Sequence, residues 1–300
     1  VTQWDMYVAE DLGFEKFDIL SQRGIGHIRD AVELIRQKRK VKMDIQDTAK
    51  IKQDTRARNL LKQGEATGCF YIESPAMRGL LRKLQCNDYP TLVAASSIIR
   101  PGVSKSGMMK EYIRRHRDPQ HFQFAHPVMR EQLSDTYGVM VYQEDVLKVG
   151  HHFAGLDLAD ADILRRAMSG KFRSGKEFDR IRDKFFSNCR EKGHSPKLAG
   201  EVWRQIASFS GYSFSKAHSA SFAVESFQSL YLKAHYPLEF LVAVINNFGG
   251  FYPPWVYIHE ARRYGAAIAL PDVNRSETLT TIYGKTIYMG LVHIAKLEQD

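Results

Sequence analysis

Apolar positions recur every three or four residues along most of this chain, and alternate with polar ones in only a few short runs. Phe14-Glu15-Lys16-Phe17-Asp18-Ile19-Leu20 has the alternation of a short strand, with Phe17 and Ile19 on one face and Lys16 and Asp18 on the other. A helix is expected next, with Ile25, Ile28, Val32 and Ile35 along one side. Arg36 to Lys40 crowd its C-terminal end, where positive charge complements the helix dipole. Ser74-Pro75 reads as a cap followed by proline at the first helical position, with Met77, Leu80, Leu81 and Leu84 as the buried stripe. Ser195-Pro196 repeats the signal ahead of Leu198, Val202, Ile206 and Phe209. Ala223, Phe227, Leu230, Tyr231 and Ala234 mark a further helix, which Pro237 ends. Short strands are predicted over Thr67 to Ile72 and Tyr137 to Tyr142. Beyond Leu238 come an apolar helix, a turn at Gly249-Gly250-Phe251-Tyr252-Pro253, a polar helix carrying Glu260-Ala261-Arg262-Arg263, and a strand-like end. The pattern predicts a mainly α fold with short β segments at both ends, α+β overall. Its helical domain spans residues 21–246, and residues 1–20 and 247–300 read as pieces of neighbouring domains.

Three hundred residues suffice for about two domains. The 44% apolar and 26% charged fractions are those of an ordinary globular protein, which argues against disorder over most of the length. No apolar run approaches the roughly 20 residues of a membrane helix, so no membrane partner is expected. The polar, acidic start has neither a signal peptide nor an Arg-rich transit segment, and Val1 suggests a piece of a longer chain. Cys69, Cys86 and Cys189 form no CxxC pattern, which disfavours disulfides and zinc and points to a reducing cytoplasm. His116, His121 and His126 recur every five residues and His151 and His152 are adjacent; neither spacing puts two imidazoles on one helical face.

The net charge of +9 is unevenly spread. Residues 161–220 hold 13 Lys or Arg against 6 Asp or Glu, so one fifth of the chain carries most of the surplus. Localised positive charge beside aromatics and glycines suits a polyanion of phosphates and bases. Asp157 is a plausible N-cap for a helix containing Leu158, Ala161, Ile163 and Leu164. Arg165 and Arg166 then either grip phosphate oxygens in bidentate fashion or pair with Asp160 and Asp162. Gly211 to Phe222 opens a helix whose N-terminal amides, with Lys216 and His218 beside them, make an anion site, while Tyr212 and Phe214 could stack on bases. A capped helix with two core aromatics is the plainer alternative. Arg100 precedes the turn Pro101-Gly102, and Tyr142-Gln143-Glu144 ends a predicted strand; either is compatible with ordinary turn chemistry. Asp18 is a lone carboxylate on a strand, either one ligand of a hard cation or half of an exposed pair with Lys16.

Seven of these segments, in order, resemble the bacterial replicative DNA polymerase III alpha subunits, the C family of polymerases. They are Lys16-Phe17-Asp18, Phe70-Tyr71-Ile72-Glu73-Ser74, Arg100-Pro101-Gly102, Tyr137-Gly138 to Tyr142-Gln143-Glu144, Ala161 to Met168, Gly211 to His218, and Tyr231 to Pro237. The resemblance implies that residues 1–20 end the palm, 21–246 form the fingers, and 247–300 begin the helix-hairpin-helix and clamp-binding region. It implies a nucleotidyltransferase that extends a primer 3′ end by two-metal phosphoryl transfer in the bacterial cytoplasm, with template-primer DNA, dNTP, sliding clamp and replisome subunits as partners. Asp18 resembles the third catalytic carboxylate, holding Mg²⁺ with two upstream aspartates, and Lys16 lies beside it. Arg165 and Arg166 resemble the fingers arginines for the triphosphate. Lys216, His218 and Tyr212 would line the same cleft, as would Arg100 and Gln143. Residues 1–300 alone are not expected to extend a primer. Ser21-Gln22 stand where the family has Gly-Leu, Val103 where it has a second proline, and Ser169-Gly170 where it has Gly-Lys, departures that suggest an accessory or error-prone member. A non-enzymatic helical nucleic-acid binder is the alternative, and a structural module docking an acidic partner a third reading.

Overall fold

A computed structural model describes residues 3–15, 22–99, 107–168, 175–209 and 215–297. Among them are fifteen α-helices and one small sheet. The order begins with α1 (Met6–Asp11), α2 (Arg23–Arg39), α3 (Thr48–Gln53), α4 (Thr55–Gln63), α5 (Pro75–Leu84) and α6 (Tyr89–Ile98). It continues with α7 (Met108–Arg117), α8 (Pro127–Gln132), α9 (Gln143–His152), α10 (Leu158–Met168) and α11 (Gly175–Glu191). The series ends with α12 (Pro196–Ala207), α13 (Lys216–His235), α14 (Pro237–Asn246) and α15 (Pro254–Arg263). Strands β1 (Ala267–Ala269), β2 (Thr281–Tyr283) and β3 (Thr286–Tyr288) follow. Among the described residues the architecture is mainly α, with β structure at the C-terminal end.

Local chemistry sets many of the helix boundaries. The Ser74 and Ser195 hydroxyls accept from the Met77 and Leu198 amides, and Pro75 and Pro196 occupy first positions where no N–H is required. Met77, Leu80, Leu81 and Leu84 are buried, as are Val202, Ile206 and Phe209. His235 is the last residue of α13, and Pro237 opens α14. Helix α13 is the hub, packing against α2, α3, α4, α6 and α14. Because neighbours surround it, its buried set includes Ser226, Gln228, Ser229 and Lys233 beside the expected apolar stripe. One apolar core extends from Ile28 to Met289, so the sheet packs into the same interior as the helices. In the sheet, β3 lies between β1, to which it is parallel, and β2, to which it is antiparallel. Gly284, at φ 62°, opens the two-residue turn from β2 to β3.

Several expectations need correction. Ile25 is exposed, and the buried face of α2 instead carries Gly24, His27, Ile28, Ala31 and Ile35. Thr67–Ile72 is a series of turns, and Tyr137–Tyr142 is a turn leading into a helix cap; neither is a strand. Both runs have carboxylates to satisfy their amides in place of a ladder partner. Glu73 takes the Gly68 N–H at 2.8 Å, and Asp145 takes those of Val141 and Tyr142, each at 2.9 Å. Of the strand predicted over Phe14–Leu20, Phe14 and Glu15 are irregular and the rest lies outside the described residues.

Candidate functional site

The first turn of α13 sits against the first turn of α9. Ser215 caps α13, its hydroxyl accepting from the His218 N–H at 3.4 Å and lying 3.0 Å from His218 Nδ1. The Lys216 N–H meets the Glu144 carboxylate, 3.1 Å from Oε1 and 3.0 Å from Oε2, across 72 residues of sequence. Glu144 itself belongs to the first turn of α9, where Asp145 caps the preceding backbone. Burial pushes the Asp145 carboxyl up to about 6, against the pull of the Tyr142 and Val141 amides. Gln143 is buried beside it, whereas Lys216 and His218 face solvent. Two helix N-termini, each carrying a partial positive charge, therefore converge on one carboxylate.

Beside this junction opens a recess of about 600 Å³ lined by Tyr89, Tyr112, Tyr137, Tyr142, His116 and Lys216, among others. Lys216 Nζ lies 4.9 Å from the Tyr142 ring centre, a cation–π contact. The Tyr89 hydroxyl donates to the Ala220 carbonyl at 2.8 Å and the Ser97 and Ser219 hydroxyls meet at 2.5 Å, so α6 fixes α13 just past its first turn.

Arg165 and Arg166 occupy the last turn of α10, whose start is set by Asp157 accepting from the Asp160 N–H at 2.8 Å. Asp162 binds both guanidiniums, Arg165 at 2.8 Å and Arg166 at 2.9 Å. Asp160, the other proposed partner, instead pairs with Arg180 and Lys184 of α11. Of the two readings of these arginines, the ion pair is thus present, with Asp162 bridging both cations. Arg165 and Arg166 side chains are 32% and 57% exposed, and pairs this exposed are worth about 0–1 kcal/mol, little enough to be exchanged for phosphate. Helix α10 packs on α9, so the arginine pair and the α13 N-terminus are linked through one intervening helix.

Lys16, Asp18, Arg100 and Tyr212 lie outside the described residues. Among the described residues no group of three or more His, Cys, Asp or Glu side chains could hold a metal ion. His116 bridges the Tyr137 hydroxyl and the Leu84 carbonyl, and His126 accepts from the Val128 amide.

Sequence reasoning offered Asp162 as a partner of the two arginines but missed three things: that both would share it, that Glu144 would meet Lys216, and the tyrosine recess. Only the sharing had a readable signal, since Asp162, Arg165 and Arg166 stand three and four residues apart on a helix. It also left unexplained the segments around Glu73 and Lys233. Glu73 takes the Phe251 N–H at 2.6 Å and the Tyr257 hydroxyl, and Lys233 donates to the Thr67 carbonyl at 2.7 Å and to Glu260 at 2.8 Å. Both segments stitch the turn after Ala66 to α13, α15 and the turn between α14 and α15.

The bacterial DNA polymerase III alpha subunit finger domain matches residues 25–193, more than half of the chain. The chain belongs to that family. Among curated relatives, the DNA polymerase III subunit alpha of Aquifex aeolicus is 33% identical over the whole of this chain, which spans 26% of that protein. The Bacillus subtilis protein of the same name is 33% identical over 97% of the chain, again 26% of its own length. The Staphylococcus aureus relative is 32% identical over 97% of the chain, or 27% of its own length. The chain thus spans about a quarter of the alpha subunits it matches. Within that quarter fall the Arg165–Arg166 pair and the α9–α13 junction, the former inside the matched finger domain.

Proposed function

We propose that this chain is the nucleotide-gripping part of a DNA-directed DNA polymerase, with Arg165, Arg166, Lys216 and His218 receiving the phosphates of the incoming dNTP. Two adjacent guanidiniums held side by side by Asp162 carry the reading. They form a preorganised cationic pair whose bridges to Asp162 are part-exposed, so a triphosphate can engage it without first breaking a buried one. The α13 N-terminus adds a second electropositive element bearing Lys216 and His218. Phosphoryl transfer asks positioning and charge stabilisation of such residues rather than covalent chemistry. Arg100 and Tyr212 belong to the DNA- and nucleotide-facing cleft in this proposal, with Gln143, buried, supporting its wall from behind.

The division into palm end (1–20), fingers (21–246) and start of the following region (247–300) belongs to the same proposal. So do template-primer DNA as partner, contacts with the clamp and replisome through other regions, and a bacterial cytoplasmic location. No helix among the described residues is long and apolar enough to cross a membrane. Asp18, beside Lys16, would hold Mg²⁺ together with carboxylates outside this chain. Such ions, when bound, activate the primer hydroxyl and steady the leaving pyrophosphate. The described residues supply no group of three or more His, Cys, Asp or Glu side chains that could hold them.

In the full-length protein, Arg165→Ala and Arg166→Ala should each raise the dNTP KM by about tenfold or more, as loss of a charge-assisted contact does, with DNA affinity nearly intact. Steady-state primer extension and DNA titration measure the two. Unchanged nucleotide dependence with weakened DNA binding would instead favour a non-enzymatic nucleic-acid binder.

A further inference from the structure

We infer that Glu144 is a positioning residue for the nucleotide site, fixing the first turn of α13 so that Lys216 and His218 are presented as a unit. The inference rests on the phosphate-binding role proposed for those two residues. The first four N–H groups of a helix have no partner within it. At α13, Ser215 takes the amide of His218 and Glu144 takes that of Lys216. The amides held by these two caps are therefore those of the two residues whose side chains face the triphosphate.

Glu144 is suited to the task by its own mounting. It stands between Gln143 and Asp145, which are 2% and 4% exposed, so the backbone beneath it is anchored in the core. Its carboxylate lies at the junction of the α9 and α13 N-termini, and its charge offsets both. Both carboxylate oxygens approach the single Lys216 N–H, which centres the amide on the carboxylate. Past the first turn, α13 is held independently by Tyr89 on Ala220 and Ser97 on Ser219. Loss of Glu144 therefore loosens one turn and leaves the helix in place. Removing the carboxylate frees the Lys216 amide to water and leaves the α13 end without the charge that offset it, Asp145 remaining at the α9 end, so the first turn of α13 must be ordered by the nucleotide itself. That cost appears in nucleotide affinity rather than in the chemical step.

The test uses the full-length polymerase with Glu144→Ala and Glu144→Gln. Glu144→Ala should raise the dNTP KM about tenfold, leave kcat within about twofold and leave DNA affinity unchanged. Amide exchange over Lys216 to Ser219 should accelerate without any nucleotide present. Glu144→Gln retains an acceptor oxygen and should recover a large part of the KM, which mere filling of space would not. An unchanged or lowered KM, or a loss of DNA affinity and thermal stability in parallel with it, overturns the inference. Arg165→Ala separates the two levels. If it raises KM while Glu144→Ala does not, the Glu144 role fails and the phosphate reading stands. If neither raises KM yet exchange at α13 accelerates, Glu144 holds the turn but the phosphate reading fails, and the inference falls with it.

Discussion

Lys233 is fully buried, with its ammonium donating to the Thr67 carbonyl and to Glu260. A charge in such a place is tolerated only when its partners are complete. Burial alone would raise the Glu260 carboxyl; Lys233 and Arg263 together outweigh it and hold the group below its usual range. Lys233→Met should cost about 3 kcal/mol in urea unfolding, because it strands a buried carboxylate and a backbone carbonyl. Arg263 still pairs with Glu260, which tempers the loss. Combining it with Glu260→Gln should cost clearly less than the sum of the single changes. Strict additivity would mean that the two side chains do not depend on each other. In the sequence Lys233 is one more cation on a long helix, where the ordinary reading is a solvated face.

At the scale of elements, the unexpected economy lies in the connections. The turn between α14 and α15 is tied down by one hydroxyl. Tyr257 accepts from the Gly250 N–H at 3.0 Å and the Tyr252 N–H at 3.1 Å, and donates to Glu73 at 3.0 Å. The turn needs Gly249 at φ 75°, where an added Cβ would also come within 2.6 Å of the Tyr257 ring. Tyr257→Phe should therefore destabilise the fold by about 2 kcal/mol, since two amides and a buried carboxylate lose one common partner. Equilibrium unfolding measures this; a change below about 0.5 kcal/mol would show that water substitutes freely. The same chemistry explains the two mispredicted strands. Short aromatic and β-branched runs such as Cys69 to Ile72 look alike in a strand and in a buried turn. Glu73 and Asp145 satisfy their amides from nearby in sequence, and that possibility leaves no trace in a hydrophobic pattern.

For the molecule as a whole, His27 couples stability to pH. It lies in the packed face of α2, and neither ring nitrogen meets a hydrogen-bond partner. Burial lowers its pKa from 6.5 to about 4, against the opposing pull of the Gly249 backbone and Asp30. The unfolded chain thus takes up a proton near pH 6.5 that the folded chain refuses until about pH 4. This contribution is complete above pH 6.5 and is lost as pH falls towards 4. It amounts to about 3 kcal/mol at 1.4 kcal/mol per pKa unit. Relative to His27→Leu, the parent should lose stability by that order between pH 6.5 and 4 in urea titrations, with a constant difference above. A difference independent of pH would show that His27 titrates normally. Taking the difference between proteins removes the opposing contribution of Asp145, which the fold prefers to hold protonated.

The sequence by itself determined the helical class, the starts of α5 and α12, the end of α13 at Pro237, the localisation of positive charge and the family. Each is written locally: caps, proline and helical periodicity act within a few residues, and ordered motifs survive as strings. Tertiary structure alone decided that Ile25 faces water while His27 and Lys233 do not, that Asp160 turns to α11, and that Glu144 reaches the α13 amide 72 residues away. These are outcomes of which helix packs on which. A buried charge or a shared carboxylate is a property of the space between elements, and that space exists only once the core has closed.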